Sequence, residues 1–124
     1  GCTPFYGGST VYVRQVTGAL DFDGTYTDNH VYFNHGQGGV LHLEYVAAPA
    51  STIKGTFRNN SATEAGAVSI AVQESDTTVT IDGLFEDNSA IDPFGFCGTR
   101  GGALSIRRVG DNSIMTITGD SCMV

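Results

Sequence analysis

The chain has 124 residues, about the length of one domain. It carries 13 Asp and Glu residues against 6 Lys and Arg residues, a formal net charge of −7, and its single lysine is Lys54. This balance excludes the basic stripe that nucleic-acid binding requires. No apolar run approaches the roughly 20 residues of a membrane-spanning helix. An acidic, lysine-poor chain with 17 glycines suits an extracellular or cell-surface setting.

Taken in chain order, the predicted elements are pairs of short strands that recur four times. Apolar residues alternate in the first strand of each pair, at Val11/Val13, Leu41/Leu43, Val68/Ile70 and Leu104/Ile106. The residues between them point the opposite way and are Tyr12, His42, Ser69 and Ser105. The inward set of the second strand is Leu20/Phe22, Ser51/Ile53, Val79/Ile81 and Met115/Ile117. A period of two predicts strands, and little or no helix is expected.

Two sets of glycines mark the repeat. One set stands before the first strand, at Gly8, Gly39, Gly66 and Gly102, and the other lies within the second strand, at Gly24, Gly55, Gly83 and Gly119. The two glycines of a repeat are 16, 16, 17 and 17 residues apart, whereas successive glycines of the second set are 31, 28 and 36 apart. The length variation therefore lies in connectors, near residues 1–7, 29–38, 60–65, 88–101 and 120–124. At the glycines we expect bends where a Cβ atom would clash.

Repeats of about 30 residues made of strands and turns are typical of β-propellers and β-solenoids. Four propeller blades would need a longer chain. The sequence therefore predicts an all-β fold, a parallel β-helix (β-solenoid) of about four rungs that forms a single domain over residues 1–124. We expect right-handed winding, because parallel crossovers nearly always have that hand.

Stacked rungs would place equivalent side chains above one another, about 4.8 Å apart. Tyr26, Phe57 and Phe85 are then expected to form a stacked aromatic core. Asn29, Asn60 and Asn88 are expected to form an amide ladder at a bend of the chain.

The segments Phe57-x-x-Asn60, Phe85-x-x-Asn88 and 101–104 (Gly-Gly-Ala-Leu) resemble the paired F-x-x-N and G-G-A-[ILV] repeats of polymorphic outer-membrane proteins. More broadly, the chain resembles right-handed parallel β-helix proteins of the pectate-lyase-like class. The pattern departs at Tyr26, at Ala65 and at Ser121, where a fourth aromatic residue is expected. The resemblance implies surface-exposed adhesive or structural roles as often as catalysis, and a shared fold does not decide between them.

Neither end of the chain shows a recognisable cap for a solenoid. If copies were joined tail to head, 13 residues would separate Gly119 from the next Gly8, within the range of 11 to 19 residues at the internal equivalents. Copies could therefore stack in register, and a contact of this kind that does not close gives a fibre. We expect a structural subunit of an extracellular or cell-surface filament. The alternatives are a fragment of a larger surface adhesin and a polysaccharide-binding or polysaccharide-degrading β-helix.

The three cysteines, Cys2, Cys97 and Cys122, are an odd number, which suggests an intermolecular bridge or a free thiol. Within one molecule Cys2 and Cys97 would be too far apart for a disulfide. In a stack, Cys2 of the next copy would lie one rung above Cys97, and Cys122 is a second candidate partner for it. A bridge between Cys97 and Cys122 within the chain, or free thiols, are the other interpretations. The spacing matches no zinc site.

No catalytic residue, metal site or cofactor is predicted. Carboxylates that could act in glycoside hydrolysis or calcium-assisted elimination stand beside turn residues instead of converging on one cleft, at Asp21, Asp23, Asp82, Glu86, Asp87 and Asp92. The histidines His30, His35 and His42 are interpreted as ordinary solvated side chains.

Two features concern glycans. The triplet Asn59-Asn60-Ser61 matches the acceptor pattern for N-glycosylation, with Asn59 facing outward if Asn60 belongs to the ladder. Exposed aromatic residues could stack on cell-surface sugars, and the candidates are Tyr12, Tyr32, Phe33 and Tyr45. Copies of the same chain, end to end, are the other predicted partner.

Overall fold

The computed structural model describes residues 10–31, 39–90 and 102–122, with the backbone alone for residues 119–122. Within these ranges the regular structure is entirely β-strand, without helix. The strands are β1 (Val11–Val16), β2 (Leu20–Phe22), β3 (Thr25–Thr27), β4 (Leu41–Val46), β5 (Ala50–Arg58), β6 (Ser61–Ala62), β7 (Val68–Gln73), β8 (Thr78–Glu86), β9 (Ser89–Ala90), β10 (Leu104–Val109) and β11 (Ile114–Cys122). The predicted all-β class is confirmed for this part of the chain.

The strands form three sheets in which neighbouring strands are parallel. The first sheet has the order β1-β4-β7-β10. The second has the order β11-β8-β5-β2, with β3 also paired to β5, and the third joins β6 to β9. Because strands from successive repeats always lie side by side, the sheets are stacks, consistent with a β-solenoid-like fold.

Equivalent residues of the repeats lie opposite one another. Leu41 is paired with Val11 on one side and with Val68 on the other, and Val68 is paired in turn with Leu104. In the second sheet, β5 and β8 stay in register over nine consecutive pairs, from Ala50 opposite Thr78 to Arg58 opposite Glu86. This register turns the period-two alternation of single strands into continuous columns of like side chains.

The core lies between the first and second sheets. Its central members are fully buried, with exposed fractions of 0 or 1%: Leu41, Leu43, Ile53, Phe57, Val68, Ile70, Val79, Ile81 and Phe85. Each side chain of this size contributes about 1.5–3 kcal/mol on leaving water. Apart from the buried Val16, the core residues of the first and last repeats are partly buried and pack against this centre.

The third sheet lies where the sequence predicts connectors. Strands β6 and β9 fall within residues 60–65 and 88–101, and His30 bridges to Ser61 beside them. Two-residue strands are too short to leave a readable alternation, so the prediction of connectors there differs from the structure. At the other end of the chain, β11 continues to Cys122 and occupies part of the connector predicted for residues 120–124.

Close stacking of backbones explains two of the predicted glycine columns. A Cβ atom on Gly39 would lie 2.0 Å from the carbonyl oxygen of Gly66, and one on Gly55 would lie 2.1 Å from that of Gly24. Gly55 also has φ = 130°, a conformation that strains any residue with a side chain. The column of Gly24, Gly55 and Gly83 does not extend regularly to Gly119, because the register between β11 and β8 shifts between Thr118 and Ser121.

Candidate functional site

Aromatic rings stack along the inner side of the second sheet. The ring centroids of Tyr26 and Phe57 are 5.5 Å apart, and those of Phe57 and Phe85 are 4.8 Å apart with an angle of 5° between the planes. Phe22 extends the stack within the first repeat, 5.1 Å from Tyr26. Offset aromatic pairs at such distances add about 0.5–1.5 kcal/mol each beyond their burial.

The register places Cys122, and not Ser121, opposite Phe85 in the last repeat. The alignment on Gly119 assigns that place to Ser121, so the structure corrects it by one residue. The extra residue in β11 is the physical reason, because a bulge moves every later position along its partner strand.

The three asparagines form hydrogen bonds with one another at the bend after β3, β5 and β8. The side-chain amide of Asn29 donates to Oδ1 of Asn60, and that of Asn60 donates to Oδ1 of Asn88, both at 2.9 Å. The backbone N–H groups of Asn29 and Asn60 donate to the same two oxygens at 3.1 Å. With exposed fractions of 0 to 6%, these side chains satisfy polar groups that water does not reach.

The two ends of the stacked sheets carry the strand edges of the described structure. The first edge consists of β1, β2 and β3, and the last edge consists of β10 and β11. Within the described residues, each edge strand of the first two sheets has a neighbour on one side only. The inward side chain of Ile117 at the last edge is 45% exposed, whereas its partner Ile81 is fully buried. Strand edges of this kind bind further strands.

Several predicted residues lie outside the described ranges. They are Cys2, Gly8, Tyr32, Phe33, His35, Asp92 and Cys97. The backbone of Cys122 is described but its side chain is not, so the predicted disulfides remain predictions.

The outer face of the first sheet is covered in part by the segment between β6 and β7, which sequence reasoning missed. Glu64 from this segment is 6% exposed and lies over the row that contains Ser105. Its carboxylate accepts hydrogen bonds from Nε and Nη2 of Arg107 at 2.6 and 2.7 Å, and from the Ser105 hydroxyl at 3.3 Å. The alternation predicts that Arg107 faces outward, but no local pattern connects it with a residue 43 positions away.

This cover changes the environment of His42, which is 1% exposed and not solvated as the sequence suggests. Its ring stacks on Tyr12 with centroids 5.4 Å apart. Among the described residues neither His42 Nδ1 nor the hydroxyl of its neighbour Ser69 has a hydrogen-bond partner. Burial lowers the pKa of His42, although the nearby Glu64 and Glu44 carboxylates oppose that change.

Two further pKa values on this face depend on carboxylates. The hydrogen bond from the Tyr12 hydroxyl to Glu44 raises the pKa of Tyr12, because it stabilises the neutral phenol. The hydrogen bonds to Glu64 likewise raise the pKa of Arg107, because they stabilise the charged guanidinium. Both carboxylates on this face are therefore engaged by neighbouring side chains.

A cleft of about 410 Å³ crosses the same face. It is lined by Ala71 and Val72 of β7 and by the longer side chains Glu44, Tyr45, Arg107 and Arg108. Tyr45 is 40% exposed there, which places an aromatic ring beside guanidinium groups. Such a cleft can accept a small polar ligand.

The candidate carboxylates that the structure describes do not converge. Asp21 and Asp82 are exposed in the second sheet, and Asp23 is exposed between β2 and β3. Lys54 stands opposite Asp82 in the strand register. Glu86 forms an ion pair with Arg58 at 2.6 Å. Asn59, the glycosylation candidate, is exposed at φ = 53° and donates to Asp28 at 2.5 Å. In the described ranges no group of three or more His, Cys, Asp or Glu residues could hold a metal ion.

A search of the same ranges for a helix long and apolar enough to cross a membrane found none. No protein-family model, curated protein or solved structure matches this chain.

Proposed function

We propose that this chain is a structural subunit of an extracellular or cell-surface filament, and that copies add strand to strand at the first and last edges. In this proposal the stacked sheets form a right-handed parallel β-helix of four rungs, as the resemblance to β-helix repeat proteins implies. The observation that carries it is the contrast in burial along the inward columns, complete in the central repeats and, apart from Val16, partial at both edges.

The inward residues of the two edges are complementary. If the register inside the chain is continued across a junction, Leu104 and Ile106 of one copy meet Val11 and Val13 of the next. These contacts repeat the apolar pairs of the interior, such as Leu43 with Ile70. Each junction would then bury apolar surface and pair free backbone groups at the same time, the two contributions that favour strand addition.

A structural role without catalysis agrees with the placement of the polar side chains. The candidate carboxylates are spread over separate strands and turns, and the buried carboxylate of Glu64 is already bound by Arg107. A larger adhesin made of the same repeats is the alternative, in which the edges pair with further repeats of one longer chain.

Electron microscopy of the purified chain tests the proposal. Filaments with an axial repeat of about 19 Å, four strand spacings, are the expected result. Ile117→Lys places a charge at the last edge and should abolish the filaments. Tyr45→Lys, on the outer face of a central strand, is the matched control and should not. Single particles at every concentration tried, for the unmodified chain, would contradict the filament.

A second candidate function, the binding of a surface glycan, is favoured by the cleft over Ala71 and Val72. Tyr45 offers a ring face for a sugar, and Glu44 and Arg108 offer an acceptor and donors for its hydroxyl groups. Binding on a glycan array that is lost in both Tyr45→Ala and Arg108→Ala would support this function. An array without signal would count against it.

A further inference from the structure

We propose that the junction between two copies forms a binding site for a free divalent oxyanion such as sulfate or phosphate. Arg14 of one copy and Arg107 and Arg108 of the next would form it. The inference rests on the proposed filament, because these arginines lie on opposite edges of a single chain, β1 and β10. It adds a ligand and a means of control that apolar edge contacts alone do not provide.

The register determines which side chains meet. Val13 pairs with Leu43 and Gln15 with Tyr45, so Arg14 lies beside Glu44 in the first sheet. Ile106 pairs with Ile70 and Arg108 with Val72, so Arg107 lies beside Ala71 in the same row. Continued across a junction, this row places Arg107 next to Arg14 of the added copy, one strand spacing or about 4.8 Å away. Arg108 then lies next to Gln15.

The junction therefore brings like charges together. Like charges directly opposite on neighbouring strands weaken their pairing. Glu64 accepts from two of the N–H groups of Arg107, whereas Glu44 accepts from the neutral Tyr12 hydroxyl, which leaves its charge in place. In the described part of the chain, no ion pair involves Arg14 or Arg108.

A divalent oxyanion suits this arrangement. A guanidinium has five N–H donors, and Glu64 uses two of those on Arg107, which leaves three for a ligand at the junction. Sulfate and phosphate accept hydrogen bonds from several guanidinium groups in fixed geometry. Their two negative charges also offset the repulsion between the arginines better than the single charge of a chloride ion does. The whole chain has a net charge of −7 and offers such an anion little elsewhere.

The critical concentration for filament assembly tests this site, measured by sedimentation in sodium sulfate and in sodium chloride of equal ionic strength. For the unmodified chain we expect the critical concentration in sulfate to be about two- to fivefold lower than in chloride. This ratio corresponds to the free energy gained when the repulsion of one like-charge pair is relieved. In Arg14→Glu we expect this preference for sulfate to shrink to the part that general exclusion of sulfate produces, because the introduced carboxylate would itself pair with Arg107. Lys54→Glu, with the same change of charge in a central strand, should keep the preference for sulfate.

The outcomes separate the two proposals. Filaments that form with equal critical concentrations in both salts would overturn the anion site and leave the filament intact. A sulfate preference that persists fully in Arg14→Glu would also overturn it, since general exclusion of sulfate from protein surfaces acts on all variants alike. The absence of filaments in either salt, with folded protein shown by circular dichroism, would refute the filament and the site together.

Discussion

Asn60 connects three successive repeats through one buried amide. Its Oδ1 accepts from the backbone and side-chain amides of Asn29, and its Nδ2 donates to Asn88 and to the carbonyl of Tyr26. The bonds between the asparagines are buried, and an unmade hydrogen bond away from water costs more than a made one contributes. The ladder therefore specifies the bend of the chain as well as stabilising it.

Asn60→Ala should lower the free energy of unfolding by about 3 kcal/mol, because it leaves at least two buried polar groups without partners at about 1–3 kcal/mol each. Asn59→Gly is the matched control, since glycine tolerates the φ of 53° at that exposed neighbour. Urea denaturation of both variants measures the difference. Equal stabilities would show that the ladder contributes little.

The buried imidazole of His42 makes stability depend on pH. Its pKa in the folded state lies below the ordinary value because burial disfavours the charged ring. As pH falls through the ordinary histidine range, the unfolded chain takes up a proton that the folded chain does not. The free energy of unfolding therefore decreases with acidification in that range and levels off below the folded-state pKa.

We expect His42→Gln to reduce this pH dependence relative to the unmodified chain. Thermal melts from neutral pH down through the ordinary histidine range measure it. His30→Gln provides the comparison for a histidine whose side chain is only partly buried. If the two variants and the unmodified chain all lose stability in parallel, His42 is not responsible.

At the level of the strands, stacking depends on backbones that approach more closely than a side chain permits. Gly55→Ala should lower the free energy of unfolding by about 3 kcal/mol for two reasons. Alanine pays about 1–2 kcal/mol in a conformation with positive φ, and its Cβ atom would be overpacked against the backbone of Gly24. Gly18→Ala meets nothing within 4 Å and should change stability by less than about 0.5 kcal/mol. Chemical denaturation compares the pair. A tolerated Gly55→Ala would mean that β2 and β5 can separate at this point.

The sequence predicts the strands better than it predicts what covers them. Alternation identifies β4, β5, β7 and β8, because each buries one face completely and a shift of one residue would expose it. The third sheet is not predictable from alternation, since Ser61–Ala62 and Ser89–Ala90 contain two residues each. The burial of His42 and Ser69 is equally hidden, because alternation alone places both side chains on the outer face of their strands.

A second limit is the one-residue shift in β11. Spacing from Gly83 to Gly119 predicts that Ser121 stands opposite Phe85, and the structure places Cys122 there. A bulge adds a residue to one strand without changing its composition, so counting along the sequence cannot detect it. The candidate site shares this limit, since the edges are defined by pairing and not by any motif.

Across the whole molecule, burial declines from the central repeats to both edges, and local stability should follow it. Amide hydrogen exchange is expected to be slowest in β5 and β8, which have neighbours on both sides, and fastest in β1 and β11. Filament assembly should slow exchange in β1, β10 and β11 and leave β5 unchanged. Protection that rises evenly over all strands on assembly would point to contacts other than the edges.

Every strand pair in the three sheets is parallel, so the first and last edges are different surfaces, and an assembly that continues the parallel pairing joins the last edge of one copy to the first edge of the next. An assembly made through them has a direction, with the β1 surface leading at one tip and the β10 surface at the other. The two tips can therefore elongate at different speeds. A short peptide that copies a single edge strand would arrest one tip and leave the opposite one growing.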